Sequence, residues 1–217
     1  MKSPHRSSPR SPATSADDAI TRVPDDLLEP AAVPVALVRK GRGAVSNLAH
    51  RFESVERIRE DDGATDDEEL PPPATTVSFE EARSIISRNE SPDIGFDRSI
   101  NPYRGCEHGC VYCYARPTHS YLNLSPGLDF ETKLFAKRNA AQLLRKELAA
   151  PSYRPQLVMV GVNTDAYQPI ERELRITRGV LEVLTEFRHP FGLVTKSALV
   201  ERDLDLIGAM AAQQLAS

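Results

Sequence analysis

Two short apolar runs, Leu157-Val-Met-Val-Gly161 and Phe191-Gly-Leu-Val-Thr195, bracket a single helical stripe, and this limits the fold more than any other feature of the chain. Each run is unbroken and carries β-branched residues, as in a strand buried on both faces of a parallel sheet. Between them Val180, Leu181, Val183, Leu184 and Phe187 recur at helical spacing, and Thr177 is placed to cap a helix that runs to about Arg188. A helix over about Asn139–Ala149 precedes the first run. Another, over about Glu201–Gln213 with Leu204, Ile207 and Met210 on one side, follows the second. Together with a short strand just before Cys106, this pattern predicts an α/β chain of three βα units around a parallel sheet. Three units do not close a barrel. A fourth strand is expected beyond Ser217, with the Phe191 run left as an unpaired hydrophobic edge.

The rest of the chain divides by composition. Nine of the 17 prolines fall in residues 1–75, including Pro71-Pro72-Pro73, and apolar residues there are too sparse for a core. A disordered arm is expected over 1–75, with the folded portion over 76–217. The arm carries a basic island at 39–53, from Arg39-Lys40-Gly41-Arg42-Gly43 through Asn47 to Arg51, which suits either nucleic-acid phosphates or the folded domain. It also carries an acidic run from Glu60 to Glu69, in which seven of ten residues are acidic, the pattern of a solvated linker. Ser78 followed by Glu81 matches a capping box, and Phe79, Ala82, Ile85 and Ile86 fall on one helical face, so order is expected to begin with a helix near Ser78. Net charge is −4, so no global basic field points to nucleic acid. Met1 to Pro12 lacks the apolar core of a signal peptide, and no apolar run approaches the roughly 20 residues that span a bilayer. A cytoplasmic location with reduced thiols and no membrane partner is the expectation.

All three cysteines lie in Cys106-Glu-His-Gly-Cys110-Val-Tyr-Cys113. Three thiolates on one loop can hold one inorganic centre but leave it a ligand short. A structural zinc site takes four protein ligands, and His108 or His119 is available as the fourth. An iron–sulfur cluster on three cysteines keeps one iron open for another ligand. The spacing admits both. Gly105 and Gly109 let the backbone wrap tightly, since glycine can adopt a positive φ where such a turn needs it, and Tyr112 sets an aromatic face beside the last cysteine.

The Cys106-x3-Cys110-x2-Cys113 spacing with Tyr112 resembles the signature of the radical S-adenosylmethionine superfamily. The longer string Asn101-Pro-Tyr-Arg-Gly-Cys106-Glu-His-Gly-Cys-Val-Tyr-Cys113-Tyr-Ala-Arg-Pro-Thr-His119 resembles a narrower branch related to spore photoproduct lyase. Ser91-Pro-Asp-Ile-Gly-Phe-Asp97 and Ser125-Pro-Gly-Leu-Asp-Phe-Glu131 extend that likeness. The resemblance implies a partial (β/α) barrel whose cluster loop follows the first strand. It implies a 4Fe–4S cluster held by Cys106, Cys110 and Cys113, with S-adenosyl-L-methionine chelating the fourth iron and Tyr112 packing near its adenine.

Active-site loops of such barrels gather at the C-terminal strand ends. There the resemblance places Asn163, Thr164 and Asp165 near the cofactor's amino group, and Thr195, Lys196 and Ser197 near its ribose or carboxylate. The implied chemistry is lyase-like: reductive cleavage to methionine and a 5′-deoxyadenosyl radical that abstracts hydrogen, with flavodoxin or ferredoxin as electron donor and a thymine lesion in nucleic acid as substrate. The lyases also use a cysteine downstream of the cluster as hydrogen donor. No cysteine follows Cys113 here, and a tyrosine such as Tyr114, Tyr121 or Tyr167 is a candidate in its place. The alternative from another class is a non-enzymatic zinc or cluster module that contacts nucleic acid through the basic island.

Overall fold

The computed structural model describes residues 42–49, 52 and 73–217. The acidic run and most of the arm expected to be disordered lie outside the described residues. Among the described residues seven strands form two open sheets: β1 (Thr76–Glu80), β2 (Ile86–Arg88), β3 (Arg98–Ile100), β4 (Tyr103–Arg104), β5 (Lys133–Lys137), β6 (Val158–Val160) and β7 (Phe191–Leu193). The helices are α1 (Leu128–Thr132), α2 (Ala140–Leu148), α3 (Glu171–Leu174), α4 (Ile176–Glu186) and α5 (Leu204–Ala211). Short 3-10 helices cover Arg116–Leu122 and Ala198–Asp203.

The larger sheet has the order β2-β3-β6-β7. β3, β6 and β7 run parallel and β2 closes one edge antiparallel. Both apolar runs are therefore strands, and a strand does precede Cys106. Ile100, Val158, Val160 and Phe191 are buried with Leu144 and Leu148 of α2, Val180, Leu181, Val183 and Leu184 of α4, and Met210 of α5. That single cluster explains why the helices form where the apolar stripes predict. Burying a Leu or Val side chain contributes about 1.5–3 kcal/mol, far more than helix propensity decides.

Four expectations are corrected. The segment from Ser78 begins as a strand, not a helix: Thr76-Val-Ser-Phe-Glu80 pairs in parallel with Lys133-Leu-Phe-Ala-Lys137, with Phe79 opposite Ala136. Its alternation of β-branched or aromatic residues with polar ones suits β1, and Glu81 has no helix to cap. Thr177 is not the cap of α4. It lies in the first turn, where its N–H donates to Glu171 Oε2 at 2.9 Å and its hydroxyl donates to Ala166 O at 2.6 Å. The fully buried Glu171 carboxylate, which also accepts from Arg178 N, does the capping from outside the helix. The third helix is divided into a 3-10 turn and α5. Last, the β7 edge is covered, because Phe191 bridges Ala216 in parallel. Phe191 N donates to Leu215 O at 2.9 Å, and Leu193 N donates to Ser217 O at 2.9 Å.

The smaller sheet, β1-β5-β4, carries the cysteine loop on its last strand. Among the described residues no helix is long and apolar enough to cross a membrane.

Candidate functional site

The cysteine loop leaves β4 through Gly105 at φ +75° and turns again at Gly109 at φ +62°. Both values lie in the region that favours glycine, as the sequence requires. A Cβ on Gly105 would stand 2.8 Å from Phe130 O, so the turn is also tight in space. Cys106 is buried against Ala115, Phe130 and Cys113, and its N–H donates to Phe130 O at 2.9 Å. Burial pushes its thiol up to about 11.

Side chains from outside the eight-residue turn fix the loop. Gln168, fully buried, donates to Gly105 O at 3.1 Å and accepts from Glu107 N at 3.2 Å. Arg116 Nε donates to Cys110 O at 3.1 Å, and its guanidinium is paired with the fully buried Glu131. Glu131 also accepts from Gly43 N at 2.9 Å and Ala44 N at 2.8 Å. Arg42 donates to Thr75 Oγ1 at 2.6 Å and lies 3.5 Å from Glu107. Further along, Asn47 exchanges two hydrogen bonds with Asp129, 3.0 Å to its Oδ1 and 2.9 Å from its N–H. Residues 42–49 of the basic island are thus a strap across the loop, docked on the folded domain. Of the two partners open to the island on sequence, these residues take the domain.

The expected cofactor contacts divide into two groups. Asp165, Thr195, Lys196 and Tyr112 come together. Asp165 Oδ1 accepts from Thr195 Oγ1 at 2.7 Å and Tyr167 N at 2.8 Å, and its Oδ2 accepts from Lys196 N at 2.8 Å. His108 Nε2 lies 3.3 Å from the same Oδ2, close enough to pair by charge although not aligned as a hydrogen bond. Burial alone would raise this carboxyl. His108 and the donors from Lys196, Thr195 and Tyr167 overturn that and hold it down at about 2. Lys196 Nζ reaches Cys110 Sγ at 3.3 Å, contacts the Tyr112 hydroxyl, and stands 4.4 Å from the Tyr112 ring centroid. Tyr112 is 75% exposed, so the face of its ring is open to a ligand.

The remaining contacts are engaged by the backbone. Thr164 is buried and donates to Tyr103 O at 2.8 Å. Ser197 accepts from Leu199 N at 3.2 Å as the cap of the second 3-10 turn. Asn163 N donates to Asn101 Oδ1 at 2.8 Å, which ties the end of β6 to the end of β3. His119 is fully buried, 2.9 Å from Lys133 O and edge-to-face with Phe130, contacts that do not involve the thiols. Of the phenols, Tyr114 donates to Val162 O and Tyr167 donates to the buried Asp203 at 2.9 Å. Tyr121 is 66% exposed, with its ring 5.5 Å from that of Phe52 and tilted at 45° to it.

The donor chemistry fits a cluster in kind: three free thiols on one eight-residue turn, with a lysine ammonium against one of them. The side chains do not converge, however. Among the described residues no three His, Cys, Asp or Glu groups are arranged to hold a metal ion, with His108 or His119 included or not.

Gln168, Glu131 and Arg116 were not found by reading the sequence. Arg116 and Glu131 do lie inside the two strings that carry the resemblance, and Gln168 lies in the loop between β6 and α3.

No protein-family model matches the chain, and neither does any solved structure. Among curated proteins, uncharacterized protein Rv2578c of Mycobacterium tuberculosis is 42% identical over 142 residues, which is 64% of this chain and 42% of the relative. Uncharacterized protein Mb2609c of Mycobacterium bovis matches to the same extent. Uncharacterized protein MJ0683 of Methanocaldococcus jannaschii is 34% identical over 107 residues, 49% of this chain and 38% of the relative. The chain spans less than half the length of the curated relatives it matches.

Proposed function

We propose that the chain carries the cofactor-binding part of a radical S-adenosylmethionine enzyme, built as the first units of a (β/α) barrel of that type. Cys106, Cys110 and Cys113 would hold a 4Fe–4S cluster, and Tyr112, Asp165, Thr195 and Lys196 would contact S-adenosyl-L-methionine. The observation that carries this reading is the meeting of three distant segments at the C-terminal ends of β6 and β7. Lys196 spans from Asp165, where its N–H is held at 2.8 Å, to Cys110 Sγ at 3.3 Å. Ligand sites of parallel α/β sheets lie at those strand ends.

When bound, the cluster and the nucleoside supply a one-electron route to hydrogen-atom abstraction. The chain's own residues bind and orient. Cys106, with its thiol pushed up to about 11, is protonated at neutral pH and would release that proton on metal binding. The Lys196 ammonium, 3.3 Å from Cys110 Sγ, would offset the charge of a cluster-bound thiolate there. Asp165, ionised at neutral pH, offers a carboxylate to an ammonium group. The exposed Tyr112 ring offers a stacking face for a base. An electron donor such as flavodoxin or ferredoxin is the implied partner, and a nucleic-acid lesion is the implied substrate of the whole protein.

The test is spectroscopic. After anaerobic reconstitution with iron and sulfide and reduction with dithionite, adding S-adenosyl-L-methionine should change the electron paramagnetic resonance signal of the wild-type chain. Lys196→Met and Asp165→Ala should weaken that response. An identical spectrum with and without the nucleoside would reject the reading.

A further inference from the structure

We propose that a polar cavity lined by residues of both sheets binds a singly protonated phosphate, as orthophosphate or as a phosphomonoester. The cavity holds about 200 Å³, and Lys137, Arg104, His119, Thr118, Asn101 and Asn163 are among its lining residues. The cysteines do not line it, and the proposal does not depend on cluster chemistry.

Charge is the first argument. Lys137, on β5, is only 8% exposed, and its ammonium makes one hydrogen bond among the described residues, to Asn101 O at 2.8 Å. Glu80 pairs with Lys137 in the β1–β5 register, but its carboxylate is engaged by Arg104 at 3.2 Å. A buried cation with no carboxylate of its own is costly to keep. Arg104 adds a second cation at the same cavity. Lys137, unlike the Glu80-paired Arg104, is left calling for an anion.

His119 supplies an orphaned acceptor. His119 is fully buried, and its Nε2 lies 2.9 Å from Lys133 O, so that nitrogen carries the proton. Its Nδ1 is then a lone-pair acceptor, and it has no hydrogen-bond partner among the described residues. Burial holds the ring below its ordinary pKa, so it stays neutral near pH 7. A carboxylate or a phosphodiester brings negative oxygens but no proton for Nδ1. A monoprotonated phosphate brings both: anionic oxygens for Lys137 and Arg104, and a P–OH for His119.

The proposal is tested by titrating orthophosphate into the full metal-free chain at neutral pH, followed by calorimetry or phosphorus NMR. Saturable binding of one phosphate per chain is expected. Lys137→Met should weaken it by about tenfold or more. Arg104→Gln, at a half-exposed site where folding is not at stake, should weaken it by roughly threefold. A nucleoside 5′-monophosphate that competes with orthophosphate would identify an esterified ligand, and one that does not would identify free phosphate. Sulfate and a dinucleotide, which lack the P–OH, should bind at least about tenfold more weakly than orthophosphate. No saturation by the wild-type chain would overturn the proposal. So would equal affinity in wild type and Arg104→Gln, or sulfate binding as tightly as phosphate. If Lys137→Met fails to fold, Arg104→Gln and the sulfate comparison decide.

Discussion

Gly43 lies so close to Gly109 that a Cβ added to it would stand 1.7 Å from the Gly109 carbonyl oxygen. The strap and the cysteine loop therefore meet backbone to backbone, and the contact is sealed by Gly43 N and Ala44 N on the buried Glu131 carboxylate. Glu131 also holds Arg116, whose Nε reaches Cys110 O. A segment outside the predicted core thus fixes the conformation of the turn that bears the thiols.

Gly43→Ala cannot be absorbed by a side-chain rotation, because the obstacle is main chain. The variant should lift the strap and destabilise the chain by about 1–3 kcal/mol. Cys110 and Cys113 should react faster with an aromatic disulfide reagent, measured on metal-free protein beside a urea unfolding curve. Unchanged thiol reactivity would show that the strap does not shape the loop.

Glu131→Gln keeps the size of the side chain but removes the charge that balances Arg116. Breaking a buried pair from one side leaves the other charge uncompensated, and a loss of about 3 kcal/mol in urea unfolding is expected. Restoring neutrality with Arg116→Gln in the same chain should recover part of that loss, a double-mutant result that simple loss of volume would not give.

Asp165→Ala removes the acceptor that holds Thr195 Oγ1 and Lys196 N. The loss should be about 2 kcal/mol, as for hydrogen bonds to a charged group. Amide hydrogen exchange should quicken at Lys196 and Ser197, while the α4 amides stay protected.

His189 sets a pH dependence. Its Nδ1 lies 3.0 Å from Pro190 O and its Nε2 lies 2.8 Å from the Tyr153 hydroxyl, so the neutral ring donates through Nδ1 and accepts at Nε2. Burial lowers its pKa from the ordinary 6.5, and the charge of Arg98 adds to this against the Pro190 bond. A depressed folded value means that the stabilisation is complete above 6.5 and is lost as pH falls through the lower folded value. The melting temperature should drop as pH is taken from about 7.5 to about 5. His189→Gln should flatten that slope without abolishing it, because the buried His119 is shifted in the same direction.

What could be read from the sequence was local and periodic. The runs at 157–161 and 191–195 became β6 and β7, and the stripe from Val180 to Leu184 became the buried face of α4, because one apolar cluster satisfies all three. The two loop glycines have the positive φ expected of them. The reading failed where two local patterns overlapped. Ser78 and Glu81 fit a capping box, while Thr76 to Glu80 also fit a strand, and pairing with β5 decided between them. It failed again where a partner lies far off in the chain. Glu131 reaches back 88 residues to Gly43, and Gln168 clasps Gly105 across 63. No window of sequence contains both members of such pairs.

The most direct test of the central claim is metal stoichiometry. Wild-type chain and Cys110→Ala should be reconstituted anaerobically with iron and sulfide, then desalted and assayed for iron, sulfide and zinc. The wild type should emerge brown, with iron and sulfide in equal amounts, and its colour should bleach on reduction, while Cys110→Ala should lose the cluster. A colourless wild type that retains zinc, or a Cys110→Ala variant with the same iron content and spectrum, would contradict the account.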